Sequence, residues 1–489
     1  MWRDESVTWQ VAHRPLGGLW ELLGQVDAVH GLYYLLMHAV FALSGTGSDT
    51  AALWPLRLPS VAATALASAG VAAIAHRLTA QDTGAAGRTD GAGRTDGAGR
   101  AGGTEGVRRT DGAGGSDRGG VGERAGVRAR AARWAGRDGR GGRAGRAALF
   151  AGLAYAVLPP VQMYAQEGRS YALVSAAVIW ATYLMLRRRW AAYAVVLVVG
   201  CWLHEFAVLA LPAHAFTAWR SRGWRLAAGA VAVALLPLAL VSARQAQQQL
   251  GWLGRPGWQD WAAYGVLAAA ALLLSRGAAR EPVRVALPLA LLPPGLLLTL
   301  SLVHPWYVDR YVLYALAGLA LLAGIRLAGA RGWWPWLLIA ALLVPVGLWS
   351  AWLRTPESRK DDVLAVAAAV RERTRPGDAV LFLPARRREW LLSSPELYAS
   401  LRDIALTRTP EASRSLQGVE RGPEEVREAL LDPGVDRVVA LLDPVGQPLD
   451  GYPAEAVKRQ TLASSFDLCS VTALRGARVA VFARPGDCP

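Results

Sequence analysis

Two adjacent carboxylates, Asp4 and Glu5, stand beside Arg3 in the opening stretch MWRDESVT. Other polar groups able to do chemistry fall in short islands between apolar runs. These are residues 166–171 (QEGRSY), the pair His204 and Glu205, and residues 304–311 (HPWYVDRY). A carboxylate can act as general base toward a hydroxyl acceptor or as ligand to a divalent cation such as Mg or Mn. An arginine offers a planar fork that matches a phosphate. Acids and arginines gathered at one face of a membrane therefore suit a lipid phosphate together with a polar acceptor. Asp4, Glu5, Arg169 and Arg310 are the leading candidates. His30, Tyr33, Glu167, Tyr171, His204, Glu205, Tyr307 and Asp309 are candidate substrate contacts. Each also has a plainer reading. Asp4 and Glu5 suit solvated charges, and Arg169 and Arg310 suit interfacial anchors beside Tyr171 and Tyr311. His204 suits a helix cap, and Tyr33 and Tyr34 suit an aromatic belt.

The elements that must position these groups are membrane helices. The 489-residue chain is 53% hydrophobic, contains 20 Trp and has a mean hydropathy of +0.22. Apolar runs predict spans at 57–78, 147–164, 170–187, 190–203, 205–219, 225–243, 258–275, 283–302, 309–327 and 333–353, about ten in all. The short pair 190–203 and 205–219 reads as a hairpin of half-length helices around His204 and Glu205. Residues 30–44 are apolar but shorter than the roughly 20 residues a span needs. They are expected to lie along the surface, as are residues 8–23 with Trp9 and Trp20 as anchors.

The net charge of +15 is placed as a membrane protein places it, not as a nucleic-acid binder does. Residues 79–146 carry 14 Arg and 8 acids, and residues 147–353 carry 15 Arg and 5 acids. Residues 354–489 balance at 20 and 20. The Arg clusters at 187–189, 220–225, 276–284 and 326–331 go to the cytoplasmic side. Every apolar run then crosses once. Residues 46–56, 166–169, 204–205, 245–258, 304–310 and everything after 354 fall outside, with Asp4 and Glu5. Acids avoid span centres and collect at one face. This disfavours a transporter, which would carry acids near the midplane. A non-catalytic scaffold would have no need of the clustered acids and arginines.

Four regions follow. Residues 1–78 form the extracytoplasmic acidic loop, surface helices and first span. Residues 79–146, with RTDGAG at Arg88, Arg94 and Arg109 and 21 Gly, read as a disordered cytoplasmic linker. Residues 147–353 are the polytopic body. Residues 354–489 read as a small extracytoplasmic α/β domain, with strands at 379–384, 437–442 and 478–483 and helices at 364–373 and 424–431. Cys201 lies in an apolar run as a small packed residue. Cys469 and Cys488 fall in the C-terminal region, where a disulfide is open to them outside the cell.

The ordered set WRDES, HGLYYLL at 30–36, RLPS at 57–60, QEGRSYAL at 166–173 and RYVL at 310–313 resembles a known family. It is similar to the bacterial polyprenyl-phosphate-mannose-dependent mannosyltransferases of the GT-C fold, actinobacterial branch. Their relatives include the protein O-mannosyltransferases and the lipid A aminoarabinose transferase. The resemblance covers about residues 1–353, interrupted by the linker. It implies an all-α polytopic bundle in the plasma membrane with an outward-facing site. It also implies inverting transfer of a sugar from a polyprenyl-phosphate donor to a protein, glycolipid or polysaccharide acceptor. Asp4 matches the acceptor-deprotonating acid, and Glu5 matches a neighbour that orients acceptor or metal. Arg169 and Arg310 are implied to hold the departing phosphate. Family members carry a helix ahead of the acidic motif, so about 20 apolar residues are expected to be encoded upstream of Met1.

Overall fold

A computed structural model describes residues 1–45, 53–92, 142–250, 254–330 and 332–488. Three short helices open the chain: α1 (Arg3–Ala12), α2 (Leu16–Leu23) and α3 (Gly31–Ser44). Asp4 and Glu5 sit in the first turn of α1, where carboxylates meet the positive end of the helix dipole. Along α2, Leu19 and Leu22 are buried while Leu16 and Trp20 are exposed, as an interfacial helix requires.

The membrane body runs through α4 (Leu53–Ala92), α5 (Gly142–Val157), α6 (Pro159–Ala165), α7 (Tyr171–Leu186), α8 (Trp190–Leu203), α9 (Ala210–Ala218), α10 (Arg222–Leu250), α11 (Trp258–Ser275), α12 (Arg280–Leu300), α13 (Leu316–Gly329) and α14 (Trp334–Trp352). Among the described residues, five helical segments are long and apolar enough to cross a membrane: Leu53–Gln81, Arg222–Ala246, Arg280–Leu300, Asp309–Gly329 and Trp334–Trp352. A sixth is reached if α5 and α6, bent by 68°, count as one. The expectation of about ten spans is therefore reduced to five or six on length and composition. Tyr171–Leu186, Trp190–Leu203 and Glu205–Ala218 are apolar but shorter than 18 residues. The linker expected at 79–146 is helical at both edges, since α4 continues to Ala92 and α5 begins at Gly142. Residues 93–141 lie outside the described residues.

Two interruptions matter for the site. Proline at the start of α6 pushes Leu158 into extended backbone, with ψ of 128°, and the α5–α6 bend follows. At His204 the backbone is again extended, with φ of −167°, and a 3-10 turn, Glu205–Leu209, separates α8 from α9. Both breaks free backbone and polar side chains at the ends of apolar helices.

The C-terminal domain holds α15 (Val363–Arg373), β1 (Ala379–Leu383), α16 (Arg388–Leu392), α17 (Pro395–Ala399), β2 (Arg402–Asp403), β3 (Leu406–Arg408), β4 (Val419–Glu420), α18 (Pro423–Leu431), β5 (Arg437–Leu442), α19 (Pro453–Ser465), β6 (Asp467–Leu474) and β7 (Ala477–Ala483). Five strands form one sheet in the order β2-β1-β5-β7-β6. β1 is parallel to β2 and β5, with Leu381 opposite Ala440, and β7 is antiparallel to β5 and β6. Alternation along β1 serves two cores. Ala379, Leu381 and Leu383 pack with Val426, Leu430 and Leu462, whereas Val380 and Phe382 join the apolar cluster that contains the membrane helices. One sheet face is thus fused to the membrane body.

Cys469 and Cys488 form a disulfide that closes a loop of 19 residues. Breaking it by reduction or by Cys469→Ser is expected to destabilise the protein by about 3 kcal/mol. Thermal unfolding with and without reductant checks this, and an unchanged Tm would refute it.

Candidate active site

Asp4 and Glu5 are consecutive on α1, so their side chains leave the helix about 100° apart and meet different surroundings. Glu5 turns inward and is fully buried. Its carboxylate accepts the Arg57 fork at 2.7 and 2.8 Å, the Gly168 N–H at 3.0 Å and the Trp2 N–H at 3.3 Å. Burial pushes this carboxyl up, but the Arg57 fork and the Gly168 N–H outweigh burial and hold it below the usual value. Glu5 thereby ties α1 to α4 and to the 166–169 turn. Gly168 itself lies where a Cβ would meet Leu56 at 2.4 Å, so only glycine lets the turn sit this close to α4.

Asp4 turns the other way and keeps 24% of its side chain exposed. One oxygen, Oδ2, lies 3.7 Å from Nη2 of Arg310 and 3.9 Å from Nη2 of Arg169. Three segments separated by more than a hundred residues each thus deliver one acid and two cations to a single point. Arg169 is buried and pre-oriented: Nη1 donates to Thr8 Oγ1 at 3.3 Å, and Nη2 lies 3.5 Å from His30 Nε2. The other nitrogen of His30, Nδ1, is 2.7 Å from Asp27, which also accepts from the Tyr34 hydroxyl. Burial pushes Asp27 up, and His30 and Tyr34 outweigh it to leave the carboxylate ionised. His30 thus bridges the Asp27 carboxylate and the Arg169 guanidinium through its two ring nitrogens.

Arg310 follows Val308 and Asp309 at the start of a 3-10 turn, Asp309–Ala315. Its Nε donates to the Tyr171 hydroxyl at 3.1 Å, and its guanidinium carbon stands 5.5 Å from the Tyr171 ring and 5.9 Å from the Tyr311 ring. His204 lies behind these rings, 4.3 Å from Tyr311 and 5.9 Å from Tyr171 between centroids. It is buried, and its Nδ1 caps the 3-10 turn at Phe206 N–H, 3.5 Å away. The exposed carboxylate of Asp309 accepts from its neighbour's backbone, Arg310 N–H, at 2.8 Å and stands 3.4 Å from the Tyr164 hydroxyl.

No known protein family matches the chain, and no curated protein matches it. Two solved structures are similar. One is ArnT from Cupriavidus metallidurans in the apo state, at 14% identity over 97% of this chain and 96% of that one, with a TM-score of 0.48. The other is ArnT from the same organism bound to undecaprenyl phosphate, at 14% identity over 98% and 96%, with a TM-score of 0.43. At that distance, function rests on the site itself.

The remaining candidates are dispersed. Glu167 is buried against Arg359, with Oε1 at 2.7 Å from Nη1. Burial pushes its carboxyl up against the pull of Arg359. Glu205 accepts the Ser242 hydroxyl at 2.5 Å. Tyr33 and Tyr34 are wholly buried, inside the core instead of in an interfacial belt. Tyr307 packs half-buried against the core. Among the described residues, no group of three or more His, Cys, Asp or Glu side chains could hold a metal ion. Asp4 itself faces two guanidinium groups, at 3.7 and 3.9 Å.

Sequence reasoning missed Asp27, Arg57, Thr8 and Arg359. Arg57 stood within the quoted RLPS stretch. A lone cation at the outer end of an apolar run was a signal that a buried acid had to answer it.

Proposed function

We propose that this chain is a membrane glycosyltransferase. It moves a sugar, mannose on the sequence resemblance, from a polyprenyl-phosphate donor to a protein, glycolipid or polysaccharide acceptor at the outer face of the cell membrane. The observation that carries this reading is Asp4 set 3.7 and 3.9 Å from Arg310 and Arg169 at one end of the apolar helices. In the absence of donor, the single negative charge of the carboxylate faces both arginines and leaves a net positive charge at the site. A donor phosphate, a diester with one negative charge, takes its place on the two forks, which can hydrogen-bond its oxygens whereas the Asp4 carboxylate stands 3.7 and 3.9 Å off.

The acceptor hydroxyl then attacks the anomeric carbon from the face opposite the phosphate. The new C–O bond forms as the bond to the phosphate oxygen breaks, and the configuration inverts. Asp4 takes the acceptor proton. The leaving phosphate departs with the bonding electron pair, and Arg169 and Arg310 stabilise the charge it gains. Glu5 and Thr8 fix α1 against the 166–169 turn, so base and cations keep their separation. An outward-facing location draws support from the Arg-rich loops on the opposite side and from the Cys469–Cys488 disulfide, a bond suited to an oxidising compartment.

Radiolabelled polyprenyl-phosphate mannose incubated with membranes containing the protein tests this. Label is expected in an acceptor insoluble in the donor-extraction solvent. Transfer from another polyprenyl-phosphate sugar but not from mannose would overturn the sugar alone. No transfer from any such donor would overturn the reading.

A further inference from the structure

We propose that Arg359 is a positioning residue for the donor phosphate, and that the C-terminal domain uses it to set the distance between Asp4 and Arg169. The inference rests on the glycosyltransferase reading. Residues 359–363 touch both halves of the site at once. On one side, Arg359 Nη1 donates to Glu167 Oε1 at 2.7 Å, and its Nη2 reaches the Met163 and Gln166 carbonyls at 3.5 and 3.4 Å. Those carbonyls end α6 and lead into the turn that carries Arg169. On the other side, the Asp361 carboxylate accepts the Arg3 N–H at 2.9 Å, and the Val363 N–H donates to the Met1 carbonyl at 3.0 Å. Those two bonds fix the start of α1, where Asp4 sits.

The five-residue segment is itself held by the sheet. Arg475, in the turn between β6 and β7, donates to the Arg359 carbonyl, and its own carbonyl accepts the Asp362 N–H at 3.1 Å. Arg3 and Ser6 of α1 add bonds to Glu389 of α16 at 3.2 and 2.7 Å. Arg359 and Glu167 have 7% and 1% of their side chains exposed, so neither can exchange its partner for water. If Arg359 lets go, the 166–169 turn loses two donor contacts, to Glu167 and Gln166, and the end of α6 loses a third, to Met163. Arg169 then moves relative to Asp4, and a displacement of about 1 Å at a reacting centre can cost about 10²-fold in rate.

The test separates positioning from mere folding. Arg359→Met alone leaves Glu167 buried without its donor and is expected to lower Tm. Adding Glu167→Gln removes the stranded carboxyl, so the double variant is expected to regain most of the Tm. Affinity for undecaprenyl phosphate, measured with purified full-length protein in nanodiscs, is expected to stay at least about 10-fold weaker in the double variant. Arg359→Lys, which keeps a donor to Glu167, is expected to recover part of that affinity. Binding at the wild-type level in the double variant would overturn the inference while leaving the donor reading intact. Should the double variant fail to fold, Arg359→Lys decides: a partial loss of affinity without any change in Tm supports the inference, whereas wild-type affinity, or parallel loss of Tm and affinity, overturns it. Wild-type protein that neither binds undecaprenyl phosphate nor transfers sugar from any polyprenyl-phosphate donor overturns the donor reading and this inference with it.

Discussion

Asp4→Asn is expected to lower the transfer rate by about 10²–10⁴-fold, the usual range for losing a general base, while donor affinity holds or rises. The amide keeps the shape of the carboxylate but cannot take the acceptor proton. It also removes the anion that stands 3.7 and 3.9 Å from the two arginines, so the donor phosphate no longer competes with it. The opposite movement of rate and affinity is the signature. Initial transfer rates and donor binding measured in parallel check it. A variant that keeps more than about a tenth of the wild-type rate would remove Asp4 from the role of base. Glu5→Gln makes the contrast. Glu5 is buried with Arg57 and touches no open space, so its replacement is expected to act on Tm more than on the affinity-to-rate ratio.

Arg310→Ala is expected to lower rate and donor affinity together, with the rate falling about 10²–10³-fold, as when one stabilising donor to a developing anion is removed. The guanidinium would touch the phosphate both before and during its departure, which is why both quantities fall. Arg310→Lys keeps the charge but gives up the fork and the bond to Tyr171. It is expected to recover affinity more than rate. Arg169→Ala should lower both quantities as well, with an added loss of stability, because Arg169 is buried and linked to Thr8 and His30. Equal effects of Ala and Lys at 310 would argue for a bare charge at that position.

The three groups that meet at the site were legible as types and places: an acid ahead of the first span, and an arginine at the end of two later apolar runs. Parity of the Arg-rich loops, with residues 30–44 taken to lie along the surface, led to the expectation that all three share one face. What pairs with them was not legible. Glu5 with Arg57, Glu167 with Arg359 and Arg3 with Glu389 are ion pairs between charges 52, 192 and 386 residues apart. No periodicity encodes such a partner. In the C-terminal domain, the buried strands β1, β5 and β7 showed as β-branched apolar runs. β6 did not, because it is an edge strand with mostly exposed or half-exposed residues. Of the ten spans read from the sequence, five or six meet the length and composition of a crossing helix among the described residues. Apolar composition marks where helices lie, but their length is set by breaks such as His204, and those depend on tertiary contacts.

That shortness bears on the surrounding lipid. At 1.5 Å per residue, α7 and α8, of 16 and 14 residues, extend about 24 and 21 Å, against a hydrocarbon core of about 30 Å. α7 is enclosed by its neighbours, but α8 exposes Val195, Val199 and Trp202, so where this short helix meets lipid the leaflet must pinch inward or polar helix ends must sink. The 166–170 turn and His204 cap these helices on the Asp4 side. A pinched leaflet would lower the headgroup plane toward Arg169 and present a lipid phosphate to it sideways, with the prenyl tail still among acyl chains. Turnover should therefore respond to acyl-chain length, falling in thick bilayers where pinching costs more.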